Sequence, residues 1–190
     1  MARIPFPDPA TLSPEISDRL VRMGSLNVTR MMTHAPDLMV AYSRLGTYLL
    51  ARGVLDPVLR EVLILRVGQL MQSDYEWHQH ESLARAVGMP PAMLQKIAAQ
   101  DFAALPERER AAIAIVEGIH ADGAASQDAV TRALTHFSSA ELVEICILTG
   151  FYILTAGYLR TLDIEIEDTP PLGDRIMATA GSAPAPMLRR

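Results

Sequence analysis

The sequence predicts an all-α fold built as a single domain, and three observations carry that expectation. Apolar residues recur with a helical period along most of the chain. The segments so marked are separated by Pro, Gly and Ser. Several of them open with helix-start chemistry: Ser13-Pro14-Glu15, Asp56-Pro57, Ser73-x-x-Glu76 and Ser138-x-x-Glu141. Strand-type alternation appears nowhere at length.

Each element has its own punctuation. Residues 1–13 carry three prolines and read as an N-terminal arm. Ser13-Pro14 opens a helix to about Met23, and a short helix follows around 27–33. His34-Ala35-Pro36 begins a third, ending at Gly53. Asp56-Pro57 starts the fourth, which runs to Gln72 and is apolar on nearly all sides, so it belongs at the centre. Ser73 caps the fifth, with Glu76 placed as its capping-box partner. That helix reaches Val87, where Gly88-Met89-Pro90-Pro91 stops it and starts the next. Further helices are expected at 91–100, 107–121 and 126–136, and Ser138 opens a long apolar one to about Leu162. From Glu165 the composition turns to Pro, Gly, Ala and Ser. The helical domain therefore spans 14–164. Residues 165–190 read as an extended arm, docked on the domain or on a partner subunit, or as a disordered tail.

Composition narrows the class of function. With 190 residues, 49% of them hydrophobic, the chain can bury one substantial core. A net charge of -5 argues against nucleic acid as a partner, because that needs a basic face. The single cysteine, Cys146, excludes an internal disulfide and suits a reducing cytoplasm; within its apolar sequence it reads as a small buried hydrophobe. The N-terminus shows no apolar signal region. The apolar stretch from Cys146 to Leu159 falls short of the roughly 20 residues of a membrane span, so it reads as a core helix with no membrane partner.

The segment Glu61 to His80 concentrates the chemistry. Glu61 sits inside the most apolar helix, where a carboxylate needs a partner or becomes protonated. Glu76 and His80 lie one turn apart and share a face. If the two helices pack as a hairpin, Glu61 meets His80, fixing its tautomer and raising its basicity. The helix start at Ser73 offers backbone N–H groups to a substrate anion, and Tyr75 and Trp77 could wall a small pocket. Structural readings stand beside these. Glu76 can serve only as the capping partner of Ser73, Glu61 can pair with Arg60 or Arg66, and His80 can be a satisfied core histidine. His78 and His80 point apart on a helix, and no further ligand stands at metal spacing, so no metal is expected.

At these residues the chain resembles the carboxymuconolactone decarboxylase-like superfamily, which includes the alkylhydroperoxidase D-like proteins. In the peroxidase branch a Glu is followed twelve residues later by Cys-x-x-Cys-x-x-x-His. Here Glu61 takes the Glu position, Ser73 and Glu76 the two cysteines, and His80 the histidine. The likeness continues through Leu55–Glu61, Ala84–Pro91, Glu141–Tyr152 and Leu159–Glu167. Tyr75-Glu76-Trp77-x-x-His80 is similar to a branch without the second cysteine. The resemblance implies a helical bundle of the alkylhydroperoxidase D-like type, assembled as a trimer or hexamer.

The departures from that pattern select among its chemistries. Thiol peroxidases need one thiolate to attack and another to resolve, and Ser73 and Glu76 do neither. Ile153 stands where relatives often carry Asn or His. What remains is His80 as base or acid, Glu61 to orient it and Glu76 as a second acid–base group. This set suits a cofactor-independent lyase or isomerase acting on a small organic acid or lactone. Two alternatives are an antioxidant peroxidase using Cys146 alone, and a binding or assembly protein without chemistry.

Overall fold

The computed structural model describes residues 1–180, and among them there are ten α-helices and no strand. They are α1 (Pro14–Arg22), α2 (Asn27–Met32), α3 (Pro36–Ala51), α4 (Pro57–Leu70), α5 (Asp74–Ala86), α6 (Pro91–Ala98), α7 (Glu107–Asp122), α8 (Gln127–Ala133), α9 (Ser139–Leu162) and α10 (Leu172–Ala180). The predicted elements appear in their predicted order. Short 3-10 turns add Pro9–Thr11 and Phe102–Ala104.

Helix α4 is the axis of the bundle. Asp56 accepts from the N–H groups of Val58 and Leu59 and starts it, and Leu59, Val62, Leu63, Ile64, Leu65 and Val67 are all buried. Each such side chain removed from water contributes about 1.5–3 kcal/mol, so this helix anchors the core. It packs against α5, α7 and α9. Its end is set by Gln72, in the left-handed conformation, which lets the Ser73 N–H reach back to the Gly68 carbonyl at 2.8 Å. The chain then reverses directly into α5, and the hairpin foreseen between α4 and α5 is formed. A second apolar cluster of Ile16, Val28, Met31, Met39, Tyr75 and Leu159 holds α1, α2 and α3 against α5 and α9.

Helix α9 opens on a complete capping box: Ser138 N–H donates to Glu141, and Glu141 N–H donates to the Ser138 hydroxyl. With 24 residues it is long and apolar enough to cross a membrane by length and composition alone. It extends beyond the apolar run read from sequence, and half of its apolar window is buried within the bundle. Its other face is exposed and carries Val143, Ile147 and Leu154. Cys146 lies on that face as well, which corrects its expected burial. The apolar run around it reflects a helix with one wet apolar side.

The C-terminal segment also differs from expectation. Residues 172–180 form α10 rather than an extended arm, and α10 docks on α5. Ser82 donates to Asp174 at 2.8 Å, and the Leu172 N–H donates to the Gln79 side chain at 3.0 Å. A Cβ on Gly173 would collide with the Ser82 backbone, so only glycine permits this contact. The remainder of the predicted tail, 181–190, lies outside the described residues.

Candidate active site

Glu61 is fully buried on α4, with 0% exposure, and both of its oxygens are engaged. Oε1 accepts from the Arg60 Nε–H at 3.0 Å, and Oε2 lies 2.7 Å from His80 Nδ1. Arg60 was one of the partners read from sequence. The other, Arg66, pairs instead with Glu117. A carboxylate so placed makes Nδ1 the protonated ring nitrogen and leaves Nε2 as the working one.

Nε2 faces Glu76, whose Oε2 lies 3.4 Å away. Glu76 is 4% and His80 5% exposed. Burial pushes the Glu76 carboxyl up to about 7; the nearby His80 opposes that rise and Glu61 adds to it. The capping box expected at Ser73 is only half made. The Ser73 hydroxyl accepts from the Glu76 N–H at 3.4 Å, but the Glu76 carboxyl turns inward to His80. The helix start is thus capped by its own serine.

Two tyrosines complete the site, and sequence reasoning missed both. Tyr152 of α9 meets the His80 ring edge-on, with centroids 4.9 Å apart at 90°. Burial, then the negative charges of Glu76 and Glu61, raise its phenol well above the usual range. Among the described residues its hydroxyl has no hydrogen-bond partner. Tyr42 of α3 stacks on Phe151 at 4.7 Å, and its hydroxyl lies 3.0 Å from Thr155. Because Thr155 donates its own proton to the Phe151 carbonyl, Tyr42 is the donor of that pair. The available signal was spacing: Tyr152 lies on the buried face of α9, two turns after Ile145.

The aromatic residues chosen from sequence sit elsewhere. The Tyr75 hydroxyl donates to Glu167 and accepts from the Val28 N–H, so Tyr75 ties the second core together rather than walling a pocket at His80. Trp77 and Ser73 line a surface depression of about 310 Å³ with Gln69, Gln72 and Gln100. Ile153 packs, half-buried, against the main core. Among the described residues no group of His, Cys, Asp or Glu is arranged to hold a metal ion.

Residues 36–118 match the model of the carboxymuconolactone decarboxylase family. This match, with the AhpD-core fold of the structures below, supports the carboxymuconolactone decarboxylase-like, alkylhydroperoxidase D-like superfamily. The matched segment holds Tyr42, Arg60, Glu61, Glu76 and His80, while Tyr152 comes from beyond it.

Solved structures share this fold. An uncharacterized peroxidase-related protein with an alkylhydroperoxidase AhpD core, from Ralstonia eutropha JMP134, is 21% identical with a TM-score of 0.78, over 88% of this chain and 93% of that one. A peroxidase-related protein from Silicibacter sp. TM1040 is 17% identical with a TM-score of 0.77, over 88% and 92%. The debrominase Bmp8, with a cysteine replaced by alanine and 2,3,4-tribromopyrrole bound, is 16% identical with a TM-score of 0.76, over 88% and 95%. At these identities the likeness is one of fold. No curated protein sequence matches the chain.

Proposed function

We propose that this superfamily member is a cofactor-independent lyase or isomerase that acts by proton transfer on a small oxygenated acid or lactone. One observation carries the reading: the relay Arg60–Glu61–His80 presents Nε2 beside a second carboxyl, Glu76, raised to about 7. A base and an acid are thereby held side by side in a low-dielectric setting, with the Glu76 carboxyl raised to about 7.

In a decarboxylation, the bond from carbon to the substrate carboxylate breaks and CO2 leaves. Its electron pair passes into the conjugated carbonyl as an enolate. Protonated Glu76 gives its proton to that carbon, and the proton consumed is replaced from water: His80 Nε2 takes it up and passes it to the Glu76 carboxylate. In an isomerisation, His80 removes a proton next to the carbonyl and Glu76 supplies one at the new position. The Tyr152 hydroxyl donates to the developing oxyanion in either case. Thiol peroxidase chemistry is disfavoured. No cysteine stands at Ser73 or Glu76, and partial burial raises the Cys146 thiol, away from the reactive thiolate.

The test is a panel of γ-carboxylated butenolides and related keto acids, followed by CO2 release and by deuterium uptake from D2O. His80→Ala is expected to abolish turnover of any substrate found. Unchanged turnover in that variant, or peroxide consumption that alkylation of Cys146 stops, defeats the proposal. A non-catalytic binding role is the second reading, favoured by the complete burial of Glu61 and its tie to Arg60. Deuterium uptake separates the two. The reading includes a homo-oligomer, trimer or hexamer, supported by the exposed apolar row Val143, Ile147 and Leu154 on α9.

A further inference from the structure

A cavity of about 370 Å³ opens at the outer end of the relay, between the end of α3, the 52–56 loop and the start of α4. Leu50, Val54, Leu55 and Pro57 give it apolar walls, and Arg60 and Arg108 line it as cations. Arg60 is only 6% exposed. Its Nε is held by Glu61, yet among the described residues neither terminal nitrogen has a protein acceptor. These nitrogens border the cavity, so a ligand or water there can supply the acceptor.

The acidic groups of the wall are already committed. Asp56 accepts from the Val58 and Leu59 N–H groups at 3.0 Å each. Glu141 accepts from the Ser138 N–H at 2.8 Å and lies 3.7 Å from Arg108. The loop itself is fixed. Buried Glu144 accepts from the N–H groups of Val54 at 2.7 Å and Leu55 at 3.2 Å, and a Cβ on Gly53 would collide with that carboxylate. The cavity is therefore built in advance, with a rigid apolar lip and a guanidinium edge that lacks a partner.

We infer that this cavity binds a small amphipathic organic carboxylate. The carboxylate takes both terminal nitrogens of Arg60, whose planar fork suits two parallel hydrogen bonds. Arg108 adds a second positive charge, and the apolar body lies against Leu50, Val54 and Leu55. Binding here does not depend on whether His80 turns over a substrate.

Benzoate is the probe, and benzamide is its uncharged isostere. Titration of the full chain is followed by calorimetry and by the methyl resonances of Leu50, Val54 and Leu55. Benzoate is expected to bind about tenfold or more tighter than benzamide, because the charge-assisted pair is lost in the amide. Arg60→Lys keeps the charge and loses the fork, and should weaken benzoate about tenfold. Arg108 is half-buried over the Phe137 ring at 5.0 Å, so Arg108→Gln should weaken benzoate severalfold with only a small fall in melting temperature. Equal affinity for benzoate and benzamide overturns the inference. So does an affinity that Arg108→Gln leaves unchanged, or a set of shifts centred on Trp77. If Arg60→Lys fails to fold, the isostere comparison and Arg108→Gln decide between these outcomes.

Discussion

His80 Nδ1 and Glu61 Oε2 meet at 2.7 Å between two antiparallel helices, in a place where Glu61 has no contact with water. The pair exists because α4 and α5 turn back on each other at Gln72 and Ser73. A carboxylate in this apolar helix would otherwise be a large loss. With Arg60 on one oxygen and imidazole on the other, its desolvation is offset, and the imidazole is fixed in both tautomer and direction.

Glu61→Gln is therefore expected to damage both fold and site. It leaves the Arg60 cation without its counter-charge and breaks the match with Nδ1–H. Loss of one partner of a buried pair costs about 3–5 kcal/mol. Urea unfolding reads this as a fall in midpoint at constant slope. A midpoint equal to that of the parent would show that Glu61 carries no such role.

Glu76 makes stability depend on pH in an unusual direction for a carboxylate. Its folded value is about 7 against an ordinary 4.5, so between those values the folded state holds a proton that the unfolded state has released. This contribution is fully present below the unfolded value and is lost as pH rises to about 7. Melting temperatures should fall across that window and level off above it. Glu76→Gln should flatten the profile and melt higher than the parent above pH 7. A parent profile that rises through the same window contradicts the assignment.

Tyr152→Phe distinguishes chemistry from architecture. The hydroxyl makes no protein hydrogen bond among the described residues, so its removal should change stability by no more than about 1 kcal/mol. As an oxyanion donor it should lower kcat by about 10²-fold or more, with little change in KM. Unaltered kcat on an identified substrate removes Tyr152 from the mechanism.

Gly173→Ala tests the docking of α10. The added methyl meets the Ser82 backbone and cannot be accommodated by a side-chain movement. Hydrogen exchange at the α5 and α10 amides should rise, while α4 and α7 stay protected. Unchanged protection of α10 would mean that the contact is not required.

The helix order was legible in the sequence because periodicity and caps are local signals. Glu61, Glu76 and His80 were legible because they lie on the two arms of one hairpin, Glu76 and His80 one turn apart on the second. Tyr152 was not, since it lies 72 positions beyond His80 in the chain and nothing near it marks that contact. Tyr75 misled for the opposite reason. It neighbours Glu76 in sequence, but successive residues on a helix face different ways, and its hydroxyl belongs to Glu167. The C-terminal helix was hidden by a Pro- and Gly-rich composition. Its stability comes from docking on α5, which local propensity does not report.

Glu167 joins segments that are made at widely separated times. Its carboxylate accepts from the Asn27 N–H, the Tyr75 hydroxyl and the Gln79 amide. During synthesis on the ribosome the first helices are exposed well before this residue appears, so the outer side of α5 must wait for its polar partners. Until Glu167 is in place, the Tyr75 hydroxyl and the Gln79 amide lack the acceptor that ties α5 to the C-terminal segment.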